Sequence, residues 1–313
     1  MDNLLHDLKS RITPSQNFTL HRQPKFKESL MADTAYQTQF RQEFVRGFEQ
    51  RQSLLRDSVT TEVMVKGQQA TFLVADSGGA SAVNRGTNGR IPGRPDNLTQ
   101  KTITLKEWHD VPERTGFNLF ASQGDGRRIM QETAMAVINR KVDDDIIDQL
   151  ETGTNDTGTA TTANLNLVLK AKTILGNNKV PWDGMITAVV TPAFMAYLHM
   201  VKEFANAEYV SKKPLDNGEA AWQDQRGYYT WLGVKWIEHP ELPGVGTNAE
   251  KCFMYHRSAI GHAAPSELIQ TYADYDKRDD YSYCRCTAYI GGVLLQNSGV
   301  VVMNHDGSAL VAS

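Results

Sequence analysis

Three groupings in the sequence have residue types that could do chemistry. Asp76-Ser77-Gly78-Gly79 has the order found around a serine-protease nucleophile, whose serine needs a histidine base and an orienting carboxylate. The chain has no matching His-Cys segment and the fragment lies in a run of small residues, so composition is the better account of it. Cys284 and Cys286, two apart on a strand, would present both thiols to one face, with Cys252, His256 and His262 upstream. A structural zinc site pairs its ligands at tight spacings such as C-x₂₋₄-C, which this is not, and small buried strand cysteines account for the pattern. Asp143-Asp144-Asp145 is a run of carboxylates in a helical stretch, where consecutive residues are turned about 100° apart, so the three cannot converge on one ion. It reads as a solvated face or an intersubunit salt-bridge patch. No Gly-x-x-x-x-Gly-Lys-Ser/Thr, Gly-x-Ser-x-Gly or His-Glu-x-x-His occurs. The expectation is a non-catalytic protein with no metal and no cofactor.

Composition narrows the class. A chain of 313 residues with 40% hydrophobic and 22% charged residues has ample material for a globular core. The net charge of -3 excludes a protein that coats nucleic acid by bulk electrostatics, while leaving room for a local basic patch. Three cysteines are too few for a disulfide framework, and the odd count fits a reducing compartment. No run approaches the ~20 apolar residues that span a bilayer. The N-terminus lacks the basic-then-apolar pattern of a signal peptide. A soluble intracellular product with no membrane partner is expected.

Among the elements that must position these residues, the stretch Thr61 to Pro112 stands out. Strand-like runs Glu62–Lys66 with Thr71–Val74, and later Lys101–Trp108, flank a Gly/Arg/Asn-rich insert with almost no apolar anchor. Ile103 and Leu105 alternate with Thr102, Thr104 and Lys106, the period of a half-buried strand. A lone hairpin is marginal in water, so this arm is expected to lie on something outside its own domain, most economically a neighbouring copy of the chain. Before it, residues 1–35 read as an extended arm, and Phe40, Phe44, Phe48, Leu54 and Leu55 as an apolar helical stripe. After it, Asp125 to Glu151 reads as one helix of about 40 Å with Asp125 as N-cap and Gly153 beyond its end. Its apolar positions drift from Met130, Ala134, Val137 and Ile138 to Val142, Ile146 and Leu150, which suits a helix touched by different elements along its length. Thr152 to Thr162 is the candidate domain boundary, and beyond it helices and strands alternate, with turns expected at Gly291-Gly292 and Asn297–Gly299.

The succession Ser53-Leu-Leu-Arg56, strand-loop-strand arm, Leu105-Lys-Glu-Trp108, and long helix ending Asp143-Asp-Asp-Ile-Ile-Asp-Gln-Leu-Glu-Thr-Gly153 resembles the major capsid proteins of tailed bacteriophages, of the Hong Kong 97 fold. The resemblance covers residues 36 to 305. It implies an α+β fold with an N-terminal arm and helix (1–60), an extended β-hairpin loop (61–115), a spine helix in a peripheral domain (116–153), an α/β axial domain (154–265) and C-terminal strands returning to the body (266–313). It implies a structural protein that self-assembles into pentamers and hexamers of an icosahedral shell enclosing double-stranded DNA without sequence-specific binding. Implied partners are a portal protein and a separate scaffolding or decoration protein. The virion is the implied location, after assembly in the host bacterial cytoplasm. Intersubunit contacts would fall on Arg85, Arg90 and Arg94 at the arm tip and on Ile103, Leu105 and Trp108, with Asp143, Asp144 and Asp145 as acidic counterparts. Some family members weld subunits through a lysine at the arm tip. This tip carries arginines instead, so cross-linking is not expected. Two rival readings are an encapsulin-like protein compartment and a soluble α/β enzyme with a long lid loop. The first would hold a protein cargo in place of nucleic acid, and the second would need the nucleophile or phosphate motifs that the sequence lacks.

Overall fold

The computed structural model describes residues 50–313 except 63–64, 66, 78, 87, 90, 92, 95–96, 116–125, 206–214, 217–218, 221–227, 265–268 and 312–313. By contacts the chain divides into Met1–Arg41 and Gln42–Ser313, and all the described residues belong to the second unit. The N-terminal arm, the Phe40–Phe44–Phe48 stripe and the Asp125 cap lie outside the described residues.

The strands in chain order are β1 (Thr60–Glu62), β2 (Gln69–Asp76), β3 (Asn97–Thr104), β4 (Lys106–Asp110), β5 (Glu113–Thr115), β6 (Ile186–Val190), β7 (Leu215–Asp216), β8 (Glu219–Ala220), β9 (Tyr228–Trp231), β10 (Val234–Glu238), β11 (Glu250–His256), β12 (Ile260–Ala263), β13 (Gln270–Asp276), β14 (Tyr281–Leu294) and β15 (Val300–His305). The helices are α1 (Gly126–Glu151), α2 (Leu165–Asn177), α3 (Pro192–Met200), α4 (Lys202–Ala205) and α5 (Ser308–Val311).

One sheet runs β15-β11-β6-β10-β9. Its centre, β6, is buried at every position, as the unbroken apolar run Ile186–Val190 requires of a strand covered on both faces. Thr191 then caps α3 by accepting the Phe194 N–H at 3.2 Å, and Pro192 takes the first helical position, where a missing N–H costs no hydrogen bond. Pro192 therefore starts a helix as well as ending a strand.

The second sheet is built on β14, which pairs with β12, β13, β4 and β5, while β1 adds in parallel beyond β12. The turn expected at Gly291-Gly292 is absent, because β14 runs straight through both glycines. Their lack of a side chain serves close approach. A Cβ at Gly291 would stand 2.6 Å from the Ile103 Cγ2, and one at Gly292 would stand 2.8 Å from the Asp145 Oδ2 and from Gln149. These glycines let the hairpin root and α1 approach the sheet.

Helix α1 packs mainly on β14 and also touches β4, β12, β13 and β15. Met130, Ala134, Ile138, Val142, Ile146 and Leu150 are all buried. This strict spacing of four advances about 40° per step around a 3.6-residue helix, so the buried stripe winds as the neighbours change. One hydrophobic core joins this helix to α2, α3 and both sheets.

The Thr152–Thr162 segment is no free linker. It lies beside β15, with Val302 N–H donating to Asn155 O at 2.8 Å, Thr157 N–H to Val302 O at 3.0 Å and Asn155 Nδ2 to Asn297 O at 2.7 Å. Its threonines and asparagines supply these bonds, which polar composition alone could not distinguish from solvation.

Candidate functional site

The hairpin forms because β2 and β3 pair in full register from Gln69↔Thr104 to Asp76↔Asn97. The run from Lys101 to Trp108, read from sequence as one strand, is divided at Leu105: β3 stays with the hairpin and β4 joins β14. Likewise β1 pairs with β12 and not with the hairpin. At the root, Ala70, Phe72, Ile103 and Leu105 bury together with Ala263 in a satellite core. The expected alternation of Ile103 and Leu105 with exposed neighbours is present. Toward the tip the support ends. Leu73 and Leu98 are 74% and 61% exposed on one face of the ribbon, since Leu73 lies opposite Gln100 and Leu98 opposite Ala75.

The tip, 77–96, holds itself by short-range bonds. Ala80 N–H donates to Ser77 O at 3.0 Å, Gly89 N–H to Gly86 O at 2.8 Å and the Arg94 guanidinium to Ser77 O at 3.2 Å. Val83 and Ile91 are exposed, as are Arg85 and Arg94, while Arg90 lies outside the described residues.

Asp143 is not part of a solvated acidic face. It is fully buried and gathers donors from the segment that leads into the hairpin: the Ser53 hydroxyl and the Gln50 amide at 2.5 Å, Leu54 N–H at 2.9 Å and Leu55 N–H at 3.2 Å, with His239 Nε2 at 3.4 Å. A carboxylate with this many donors fixes residues 50–55 to the middle of α1. Asp145 faces inward to His262, 3.3 Å away, and only Asp144 is substantially exposed, beside Lys141 at 3.8 Å. The three carboxylates thus diverge as helix geometry requires, and as an acidic counterpart to the tip arginines Asp143 is corrected to an internal anchor. Ile103 and Leu105 are buried within the chain. Trp108 is half-buried against the core, with the Lys141 ammonium 4.6 Å from its ring centroid.

The signal for Asp143 was present and was missed. It stands four and seven residues before Ile147 and Leu150, on an apolar line of the helix. A second internal anchor, Glu250, had none. It is fully buried, accepts from the Thr191 hydroxyl at 2.5 Å and Gly246 N–H at 2.8 Å, and lies 3.7 Å from His305.

The groupings with catalytic residue types come apart. Cys252, Cys284 and Cys286 are free and buried, and desolvation pushes the Cys252 thiol up to about 12. Among the described residues no cluster of histidine, cysteine or acidic side chains could hold a metal ion. Ser77 belongs to the hairpin tip. A different alignment does occur, with the Ser258 hydroxyl 2.8 Å from His256 Nδ1 and Asp183 3.1 Å from His256 Nε2. The same Nδ1 accepts the Ser258 N–H at 3.2 Å, so its lone pair caps the short helical turn Arg257–Ala259. Asp183 is held below the usual carboxylate range first by the Met185 N–H and then by His256. Among the described residues no helix is long and apolar enough to cross a membrane.

Comparison with known proteins places this architecture. The family model for phage capsid proteins matches residues 32–307. No curated protein matches the chain. Among solved structures, a chain of Mycobacterium phage Che8 superposes with a TM-score of 0.65 at 17% identity, covering 84% of this chain and 94% of that one. A chain from the capsid of a native GTA particle gives 0.66 at 13% identity, covering 88% and 98%. The capsid of cyanophage Pam1 gives 0.64 at 15% identity, covering 89% and 100%. The fold is therefore that of Hong Kong 97-like capsids. A family match over most of the chain settles the class: the chain belongs to the phage capsid protein family, as a major capsid protein with a structural and not an enzymatic role in the virion.

Proposed function

We propose that copies of this chain close into pentamers and hexamers of an icosahedral shell around double-stranded DNA, each hairpin lying over the next copy. The observation that carries this is the hairpin itself: its root is anchored in the chain, but Leu73, Leu98, Val83 and Ile91 stay exposed among the described residues. Contacts of this head-to-tail kind close into rings when the rotation between copies divides the circle. In this reading the α1–β14 layer is the peripheral domain, and the β6-centred sheet with α2 and α3 is the axial domain. A precursor shell assembles in the host cytoplasm with a separate scaffolding protein, and a portal protein admits the DNA. The net charge of -3 supports a container that does not grip its cargo. The test is velocity sedimentation of the purified full-length chain, with and without a candidate scaffolding protein, and electron microscopy of the same sample. Closed particles or five- and six-fold rings are expected. A chain that stays monomeric under both conditions would overturn the reading.

A further inference from the structure

At the root of the hairpin lies an open cavity of about 560 Å³. Its floor is apolar, from Val65, Leu105 and the ring of Tyr289, and its rim carries Gln68, Gln270 and the carboxylate of Glu107. That size lies within the roughly 300–1,000 Å³ range of sites that hold a ligand of several groups, so it has room for a short stretch of chain. Glu107 accepts a hydrogen bond from the Tyr289 hydroxyl at 3.2 Å and lies 3.2 Å from His109, with both side chains about half exposed. The nearest strand cation on β14, Arg285, is drawn over the ring of Tyr272, with its guanidinium 5.3 Å from the centroid.

Among the described residues, the hairpin tip has a complementary character. At the hairpin tip, Val83 and Ile91 are 60% and 65% exposed, and Arg85 and Arg94 flank them as exposed cations. The tip does not fill its own cavity, since none of the lining residues comes from it and Val83 and Ile91 stay exposed. Gly67 and Gln68 line the cavity immediately before β2, and β2 carries the chain away for eight residues, about 25 Å at the rise of a strand.

We propose that the cavity at the hairpin root receives the hairpin tip of a second copy of this chain, with Val83 and Ile91 entering the apolar floor and Arg85 or Arg94 facing Glu107. The proposal rests on the shell reading and makes it specific: each copy is at once the donor of a tip and the holder of a socket, and the socket is built by the root of its own donor hairpin. Seating one tip then braces the base of the next hairpin. A tip-to-root contact is heterologous, the kind that propagates around a ring.

The experiment uses full-length chain assembled into particles. Two exposed pairs receive cysteines, Ile91→Cys with Gln270→Cys and, separately, Val83→Cys with Gln68→Cys. The native thiols are buried, so mild oxidation reports on the introduced pair. A ladder of covalent multimers on a non-reducing gel is expected from assembled particles of at least one pair, with none from the single variants or from dissociated subunits. In parallel, Glu107→Arg should lower particle yield about tenfold, and adding Arg85→Glu with Arg94→Glu should restore most of it. Particles of normal size that yield no ladder from either pair and tolerate Glu107→Arg overturn the socket while leaving the shell reading intact. A wild-type chain that forms no particles overturns both.

Discussion

Asp143 shows how much one side chain decides when it is buried among donors. Replacing it by alanine leaves the Leu54 and Leu55 N–H groups and the Ser53 hydroxyl facing a dry gap. Breaking a buried charged network costs about 3–5 kcal/mol, whereas an exposed substitution costs within about 0.5 kcal/mol. Asp143→Ala is therefore expected to lower the urea midpoint of unassembled subunits sharply, and Asp144→Ala to leave it in place. Equal effects would mean that Asp143 is not the anchor. The thiols give a second residue-scale test. Burial raises all three, Cys252 most, so none should react with a thiol reagent at pH 8 in the folded chain, and all three should react in guanidinium. Fast labelling of a folded thiol would contradict the packing. At this scale the sequence was legible where a residue's neighbours in the chain set its surroundings, as with the strand cysteines. It was misleading where distant donors did so, as with Asp143.

Among the elements, β14 is approached closely from both the hairpin root and α1. The whole chain brings the hairpin root and α1 within contact of the two glycines that looked like a turn. Gly291→Val would drive its side chain into Ile103, which stands 2.6 Å from the added Cβ. Overpacking of a fitted site costs about 1–3 kcal/mol, and here the strain falls between a sheet and the base of a hairpin. The expected outcome is a folded body whose hairpin root exchanges its amide hydrogens faster than wild type at Ile103 and Phe72, read by hydrogen exchange. Unchanged protection there would show that the contact is slack. Helix α1 was legible from its length, its stop at Gly153 and its drifting apolar line. The division of Lys101–Trp108 between two sheets was not, because pattern alternation continues through Leu105 whichever partner each half takes.

At the scale of the whole molecule, the described residues form a body with a large core and an arm whose far half that body does not support. Replacing Gly78 to Pro95 by a short turn removes the tip and leaves the root core of Ala70, Phe72, Ile103, Leu105 and Ala263 untouched. The truncated chain should keep the circular dichroism and thermal midpoint of the unassembled subunit while failing to form closed shells in sedimentation. Normal particles from it would show that the tip has no part in assembly. Sequence by itself determined the type of most elements, the absence of recognisable catalytic motifs and the presence of an arm that cannot bury itself, because these depend on local pattern and on side chains close in the chain. Only the tertiary structure decided that Asp143 and Glu250 are internal anchors, that the Thr152–Thr162 segment is bonded along β15, and that a cavity opens at the hairpin root. Each of these depends on groups tens to hundreds of residues apart, whose meeting is fixed by sheet register and core packing; the apolar line through Ile147 and Leu150 marks Asp143 as inward-facing, but nothing in the chain names the donors that meet it.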